Sequence, residues 1–319
     1  MAEFGFESTA DDVLANVDLA GKTVFITGGN SGLGKETARA MAARGAHVVI
    51  AGRDQAKLDD AAAEITADGG NGTVETLVVD LASLNSVRAA GAEANDRFDK
   101  IDILINNAGI MACPQGQTAD GFESQFGTNH LGHFVLTKYL MPLIEQGTNK
   151  RIVNLSSRGH HMGPVNFDDP NFASREYDKW ASYGQAKTAN VLFSVGHENR
   201  FADKGIHAYA VHPGGIMTNL SRHLSQEDLD NLRERVERSA SDHGGNGFKT
   251  VPQGAATQSW AATAPELEGR GGVYCEDCHV AEVNDDAPID SVRSYAVDRG
   301  NADRLWELSE RLTGESFSA

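Results

Sequence analysis

Tyr183 and Lys187 stand four residues apart in Tyr183-Gly184-Gln185-Ala186-Lys187. On a helix, positions i and i+4 share a face, so a phenol and an ammonium can reach one place. A tyrosine ordinarily titrates near pH ~10, too high for efficient proton exchange at neutrality. A close cation stabilises the phenolate; lowering the pKa by about three units asks for roughly 4 kcal/mol of differential stabilisation. Taken alone, such a pair also describes an exposed helical surface. A serine pair, Ser156-Ser157, ends the apolar run IVNLSS. Period-two alternation sends the two hydroxyls opposite ways. Asn129, in Asn129-His130-Leu131-Gly132-His133-Phe134, adds a polar group inside a helix-like stretch, where its bland role is bonding a backbone carbonyl.

A second chemistry lies upstream. The first apolar run leads into Thr27-Gly28-Gly29-Asn30-Ser31-Gly32-Leu33-Gly34 and then a helical pattern. Glycines permit positive φ and close backbone approach, and a helix N-terminus offers free N–H groups and a positive dipole end to a pyrophosphate. A Gly-rich turn by itself is a weak signal; strand, loop and helix in that order make it a strong one. The second strand ends at Ala51-Gly52-Arg53-Asp54. An acid at such a tip selects NAD through the ribose 2′-OH, whereas an arginine accommodates the 2′-phosphate of NADP. Arg53 therefore favours NADP(H), with NAD(H) as the alternative, and Asp54 reads as the N-cap of the next helix.

The elements that must position these groups follow from hydrophobic period. Segments 23–27, 47–51, 75–81, 101–106, 151–156 and 206–212 are short, rich in Val and Ile, and bounded by Gly, Asp or Asn, as buried strands are. Helical patterns occupy 35–44, 55–67, 83–98, 121–144 and 182–203, with later ones at 254–264 and 302–312 and a strand starting at 272. Such alternation predicts an α/β fold, a doubly wound parallel sheet of Rossmann type with helices on both faces, in one domain. The organisation read from it is an N-terminal extension over 1–19, the domain over 20–285 and a C-terminal segment over 286–319. Two stretches break the rhythm as insertions, at about 158–181 and 219–250, the second turning Gly-rich at SDHGGNG.

The spacing TGxxxGxG resembles the short-chain dehydrogenase/reductase family, and the likeness runs over about residues 20–280. The resemblance implies that Gly28, Asn30, Ser31, Gly32, Leu33 and Gly34 cradle the dinucleotide. In its alignment the acid-bearing position falls on Gly52, with Arg53 next. Asp80 and Leu81 would contact the adenine; Asn107, Ala108 and Gly109 match an NNAG turn near the cofactor ribose. Pro213, Gly214, Ile216 and Thr218 match a PGxxxT segment at the nicotinamide. It also implies a catalytic group of Asn129, Ser157, Tyr183 and Lys187. Ser157, rather than Ser156, would bond the substrate oxygen, and Asn129 would support a water-linked relay through Lys187. Tyr183 would exchange the proton while hydride moves at the nicotinamide, and Lys187 would also hold the ribose. Ser157 and Tyr183 are 26 residues apart, where many members have about a dozen between them. With NFDDPNF and NHLGHF, that longer stretch is similar to the retinol-dehydrogenase-like and WW-domain-oxidoreductase-like subgroup, in its catalytic domain only.

The expected activity is therefore an NADP(H)-dependent interconversion of a carbonyl and an alcohol. A lipophilic small molecule is the expected substrate if Phe167, Phe172, Trp180, Met217 and Leu220 line a pocket; packing of the insertions onto the sheet would use the same residues. The alternatives are a catalytically silent NADP(H) sensor and an NAD-linked secondary-alcohol dehydrogenase. A sugar-nucleotide epimerase is disfavoured by the glycine spacing. Cys275-Glu276-Asp277-Cys278-His279 fits a haem-attachment pattern, and the pairs His130/His133 and His160/His161 suggest metal ligands. Neither has a supporting ligand set, so no metal is expected. A net charge of −17 opposes nucleic acid and anionic lipid, and no run of apolar residues is long enough for a membrane span. Three cysteines and no export signal suit a cytoplasmic location. The resemblance further implies a homodimer or homotetramer, through the helices at 121–144 and 182–203.

Overall fold

The computed structural model describes residues 4–243, 247–287 and 290–317. Among them, β1 (Thr23–Thr27), β2 (His47–Gly52), β3 (Thr73–Val78) and β4 (Ile103–Asn106) join β5 (Arg151–Leu155), β6 (His207–His212), β7 (Val273–Glu276) and β8 (His279–Val280) in one sheet. The order is β3-β2-β1-β4-β5-β6-β7-β8, parallel throughout except for the final β7–β8 pair. Strands covered on both faces need near-continuous apolar runs, and period two then sorts them between two cores. Val24 and Ile26 join Val48 and Ile50 under helices Gly32–Ala42, Gln55–Ala67 and Ala256–Thr263. Phe25 joins Val49 and Ala51 under helices Leu84–Arg97, Gly132–Glu145 and Lys179–Phe201. This is the doubly wound Rossmann-type architecture that the alternation predicts. The strand order reverses between β1 and β4, and the loops leaving their carboxyl ends frame a crevice.

Three departures from the sequence pattern matter for that crevice. β3 is an edge strand ending at Val78, earlier than the apolar run suggests. Its pairing stops at Gly52↔Val78, so Asp80 and Leu81 lie on the loop beyond it, facing the cleft. The long helix expected over 121–144 is broken. A short turn, Ser124–Phe126, passes into a π-helical turn, Gly127–Leu131, before the regular helix Gly132–Glu145 begins. Glycines bracket the wide turn because a Cβ on Gly127 would meet Thr118 Cγ2 at 2.5 Å and one on Gly132 would meet the Leu81 carbonyl oxygen at 2.5 Å. Such turns often sit at functional positions, and Asn129 lies inside this one. Finally, Cys275-Glu276-Asp277-Cys278-His279 forms the β7–β8 hairpin, with Asp277 and Cys278 at φ 43 and 58 as a two-residue primed turn requires. Both thiols are buried, and burial pushes that of Cys278 up to about 11.

The chain ends close onto this framework. Ala10 and Leu14, at and just after the short helix Ala10–Val13, are fully buried with the Ala256–Thr263 layer. In the second insertion, helix Gln226–His243 follows a tight turn over Asn219–His223. Of the Gly-rich turn expected next, Gly244, Gly245 and Asn246 lie outside the described residues. Helix Arg299–Thr313 packs along Lys179–Phe201 and reaches Phe134 of Gly132–Glu145 through Trp306. Trp306 sits 5.3 Å from Phe134 and 5.7 Å from Phe193 between ring centroids, Phe317 packs at 4.6 Å on Trp306, and Ser309 Oγ lies 2.7 Å from His130 Nε2. These helices are the ones that the resemblance assigns to subunit contacts. The chain's own C-terminal helix packs on part of those faces. Gly196 is part of the fit, since a Cβ there would lie 2.9 Å from Trp306 Cε3.

Candidate active site

The carboxyl ends of β1, β2, β4, β5 and β6 open onto a cleft of about 1720 Å³. β1 leaves the sheet through Gly28 and Gly32, both at positive φ (68 and 54), which only glycine adopts cheaply. Gly28, Asn30, Ser31, Gly32 and Leu33 line the cleft, together with Arg53, Asp80, Leu81, Asn107, Ala108 and Gly109, and with Pro213, Gly214, Ile216 and Thr218. Gly34 lies behind the loop, where a Cβ would collide with the Gly28 carbonyl oxygen and the Asn107 side-chain amide. Asp54 caps the next helix, accepting from Lys57 N at 3.3 Å. The glycine loop is thus a backbone cradle that side chains would fill, and it opens beside a helix N-terminus. A pyrophosphate fits that donor set.

Thr27, which the motif reading passes over, ties the cradle to its neighbours. Its Oγ1 accepts from Asn107 N and Ala108 N, both at 3.0 Å, and lies 2.8 Å from His133 Nε2. His133 Nδ1 faces the Asn129 carbonyl at 2.9 Å. A carbonyl only accepts, so Nδ1 carries the proton and Nε2 takes the threonine hydroxyl. Burial drives His133 down to about 4 and keeps it neutral. His133 is therefore a structural linchpin between Thr27 and Asn129. Among the described residues there is no group of His, Cys, Asp or Glu able to hold a metal.

Asn129 is buried and commits its side chain to the loop after β4. Oδ1 accepts from Ile110 N at 2.8 Å and Nδ2 donates to Ile110 O at 2.9 Å. Gln125 and Tyr177 hold the same loop, accepting from Ala112 N at 2.8 Å and donating to Cys113 O at 3.0 Å respectively. No local pattern marks Gln125 or Tyr177 for that duty, because their partners lie more than ten residues away. A Cβ on Gly109 would lie 3.1 Å from Asn129 Oδ1 and 3.8 Å from Lys187 Nζ, so this turn brings the two side chains to one place.

Lys179–Phe201 carries Tyr183 and Lys187, both buried. Lys187 Nζ stands 5.6 Å from the Tyr183 ring centroid and donates to Leu155 O at 2.9 Å. The two serines separate as period two requires. Ser156 Oγ donates to Lys187 O at 2.8 Å, while Ser157 shares a hydrogen bond with the Tyr183 hydroxyl and accepts from Gly159 N at 3.0 Å. Gly159 must be small, since a Cβ would approach Tyr183 Cε1 to 2.7 Å. Burial raises Tyr183 to about 12, the Ser157 bond opposing it, and burial lowers Lys187 to about 8. Desolvation is thus the first cause at both groups, and the Lys187 ammonium is turned to a carbonyl. Of the pocket aromatics expected from the insertions, Trp180 and Leu220 line the cleft. Phe167 packs on the core under Arg304, Phe172 is buried against Tyr177, and Met217 faces outward.

Residues 22–229 match the family model described as short chain dehydrogenase, and the chain belongs to that family. Its relatives include the short-chain dehydrogenase/reductase prx1 of Penicillium roqueforti, 40% identical over 95% of this chain and 89% of that one. Retinol dehydrogenase 12 of Mus musculus is 40% identical over 94% and 88% of the two chains, and retinol dehydrogenase 14 of Homo sapiens 39% over 92% and 87%. The similarity thus runs well beyond residues 20–280. A crystal structure of an uncharacterised protein from Mycobacterium paratuberculosis superposes with a TM-score of 0.73 at 37% identity, over 98% and 99% of the chains. The chain is a dehydrogenase/reductase acting on CH–OH and C=O groups with a nicotinamide dinucleotide. Among the described residues no helix is long and apolar enough to cross a membrane.

Proposed function

We propose that the enzyme reduces carbonyls, and oxidises the corresponding alcohols, on an apolar small molecule with NADP(H), Tyr183 exchanging the proton. The observation that carries this reading is the convergence of Tyr183, Ser157 and Lys187 at the end of β5, beside a glycine cradle. When bound, the dinucleotide supplies or accepts hydride. The protein's share is positioning and proton transfer. Ser157 Oγ is close enough to share a substrate oxygen with Tyr183, and a phenol held near pKa 12 stays protonated at neutral pH, which suits it to donate as a carbonyl oxygen gains charge. Lys187, at about 8, is partly charged there and can restore the proton or bind a ribose hydroxyl.

Ile110, Met111, Met162, Trp180, Leu220 and Leu232 give the cleft apolar walls near Tyr183, and two relatives are named for retinol, an apolar alcohol. Three buried free thiols fit the reducing cytoplasm. The test is NADPH oxidation with a panel of apolar aldehydes and ketones; zero turnover across the panel rejects the reading. Arg53, on the cleft wall and in no ion pair among the described residues, is the residue for cofactor choice. Arg53→Ala is expected to weaken NADPH by about ten- to a hundredfold while leaving NADH within about twofold, because a charge-assisted bond to the 2′-phosphate is lost. Equal loss for both nucleotides would remove Arg53 from this role.

A further inference from the structure

Three arginines line the cleft: Arg53 after β2, Arg158 after Ser157, and Arg222 in the second insertion. Arg158 is paired with Asp290 at 3.0 Å. Arg53 has no carboxylate partner among the described residues, and Arg222 makes only a bond from Nη1 to its own turn, at Asn219 O, 2.9 Å away. Both keep their heads exposed to the cleft. His223, beside Arg222, also borders it. Burial, and then the Arg53 guanidinium, lower the basicity of Arg222, so the two cations feel each other. Asp54, the acid next to Arg53 in sequence, is occupied with Lys57 at 3.1 Å.

In a chain of net charge −17, placing two guanidiniums on one cleft without a carboxylate partner among the described residues opposes the general tendency to pair them. Such a pair is stable in company with an anion between its members, and guanidinium forks match phosphate oxygens bidentately. The turn that carries Arg222 is built to hold its position. Thr218 Oγ1 accepts from Leu220 N at 3.3 Å, and Ser221 Oγ donates to Thr218 O at 2.8 Å. Farther along, Asp228 accepts from Ser225 Oγ at 2.7 Å and from Lys179 Nζ at 2.5 Å, which fastens the insertion to the start of the catalytic helix.

We propose that Arg222 is a second phosphate-binding residue, delivered by the insertion to grip, opposite Arg53, a phosphate group of the bound dinucleotide. The inference rests on reading this cleft as the dinucleotide site, and it adds a function for the insertion. The phosphate has two sources in one ligand, the 2′-phosphate and the pyrophosphate.

The experiment measures dissociation constants of NADPH and NADH from nicotinamide fluorescence at low and high salt, for wild type, Arg53→Ala, Arg222→Ala and Arg222→Lys. Arg222→Ala is expected to weaken NADPH about tenfold or more and to flatten its salt dependence, with partial recovery in Arg222→Lys. If NADH is unaffected, the grip is on the 2′-phosphate; if it weakens equally, the grip is on the pyrophosphate. Affinities for both nucleotides within twofold of wild type in Arg222→Ala overturn this inference alone. Loss in Arg222→Ala with no change in Arg53→Ala sustains it and removes Arg53 from the 2′-phosphate. Wild type that binds neither nucleotide overturns both readings.

Discussion

Tyr183→Phe is expected to lower turnover by about 10²–10⁴-fold while leaving NADPH affinity within a few-fold. The substitution deletes one oxygen and keeps the ring. That ring is 4% exposed and packed against Gly159, so Phe fills the same space. Among the described residues the bond lost is the one shared with Ser157, which costs about 1 kcal/mol of stability at most. Fold, cleft and glycine cradle stay as they are. The measurement is kcat for a reducible carbonyl, with nucleotide binding by fluorescence and Tm as controls. A variant that keeps kcat within tenfold would show that another group, or water, delivers the proton, and Tyr183 would lose its role.

The second large effect is on stability. Lowering the pH from 7.5 to 5.5 should destabilise the protein by at least about 3 kcal/mol, a sizeable share of the ~5–15 kcal/mol of a folded domain. His130, His160 and His197 are held at about 3 and His133 at about 4, burial being the first cause in each. A base depressed by folding binds its proton more readily when unfolded, so stability is full above the ordinary pKa of about 6.5 and falls as pH drops below it. At pH 5.5 each such histidine contributes about 1.4 kcal/mol in favour of unfolding, whatever its folded value below about 4.5. Four of them give about 5 kcal/mol, and His212, also lowered well below its usual value by burial, adds in the same direction.

Glu276 works the other way. Burial, then Asp290 and Asp277, raise it to about 7, so its protonation stabilises the fold as pH falls, by about 2 kcal/mol over this range. The carboxylates held low, such as Asp228 at about 2, act below this window. Denaturant unfolding at the two pH values measures the difference. His197 offers the cleanest control. Neither ring nitrogen has a hydrogen-bond partner, and the ring sits among Phe193, Phe201, Trp306 and Phe317. His197→Leu should remove about 1 kcal/mol of the pH dependence. Stability that stays level down to pH 5.5 would mean that these histidines are solvated.

Much of the fold and part of the site were legible because their causes are local. Period-two apolar runs give β1 its bounds at Thr23–Thr27, and they place the other strands to within a few residues. The glycine loop is legible because positive φ at Gly28 and Gly32 restricts residue type directly, and Tyr183 with Lys187 because i and i+4 share a helix face. The choice of Ser157 over Ser156 at Tyr183 follows alternation once the strand's facing is known. What the sequence determined by itself, then, is the sheet, the cradle and the spacing of Tyr183 and Lys187. The tertiary structure alone decided how desolvation sets Tyr183 and Lys187, that Asn129 spends its side chain on Ile110, and that His133 links Thr27 to Asn129. It also decided that Phe167 and Phe172 pack away from the cleft, that Trp306 packs on Phe134 and Phe193, and that Arg222 lines the same cleft as Arg53, 169 positions away along the chain. The physical reason is common to all of these. Burial and partnership between residues far apart in sequence depend on how whole layers pack, and no short-range period records them.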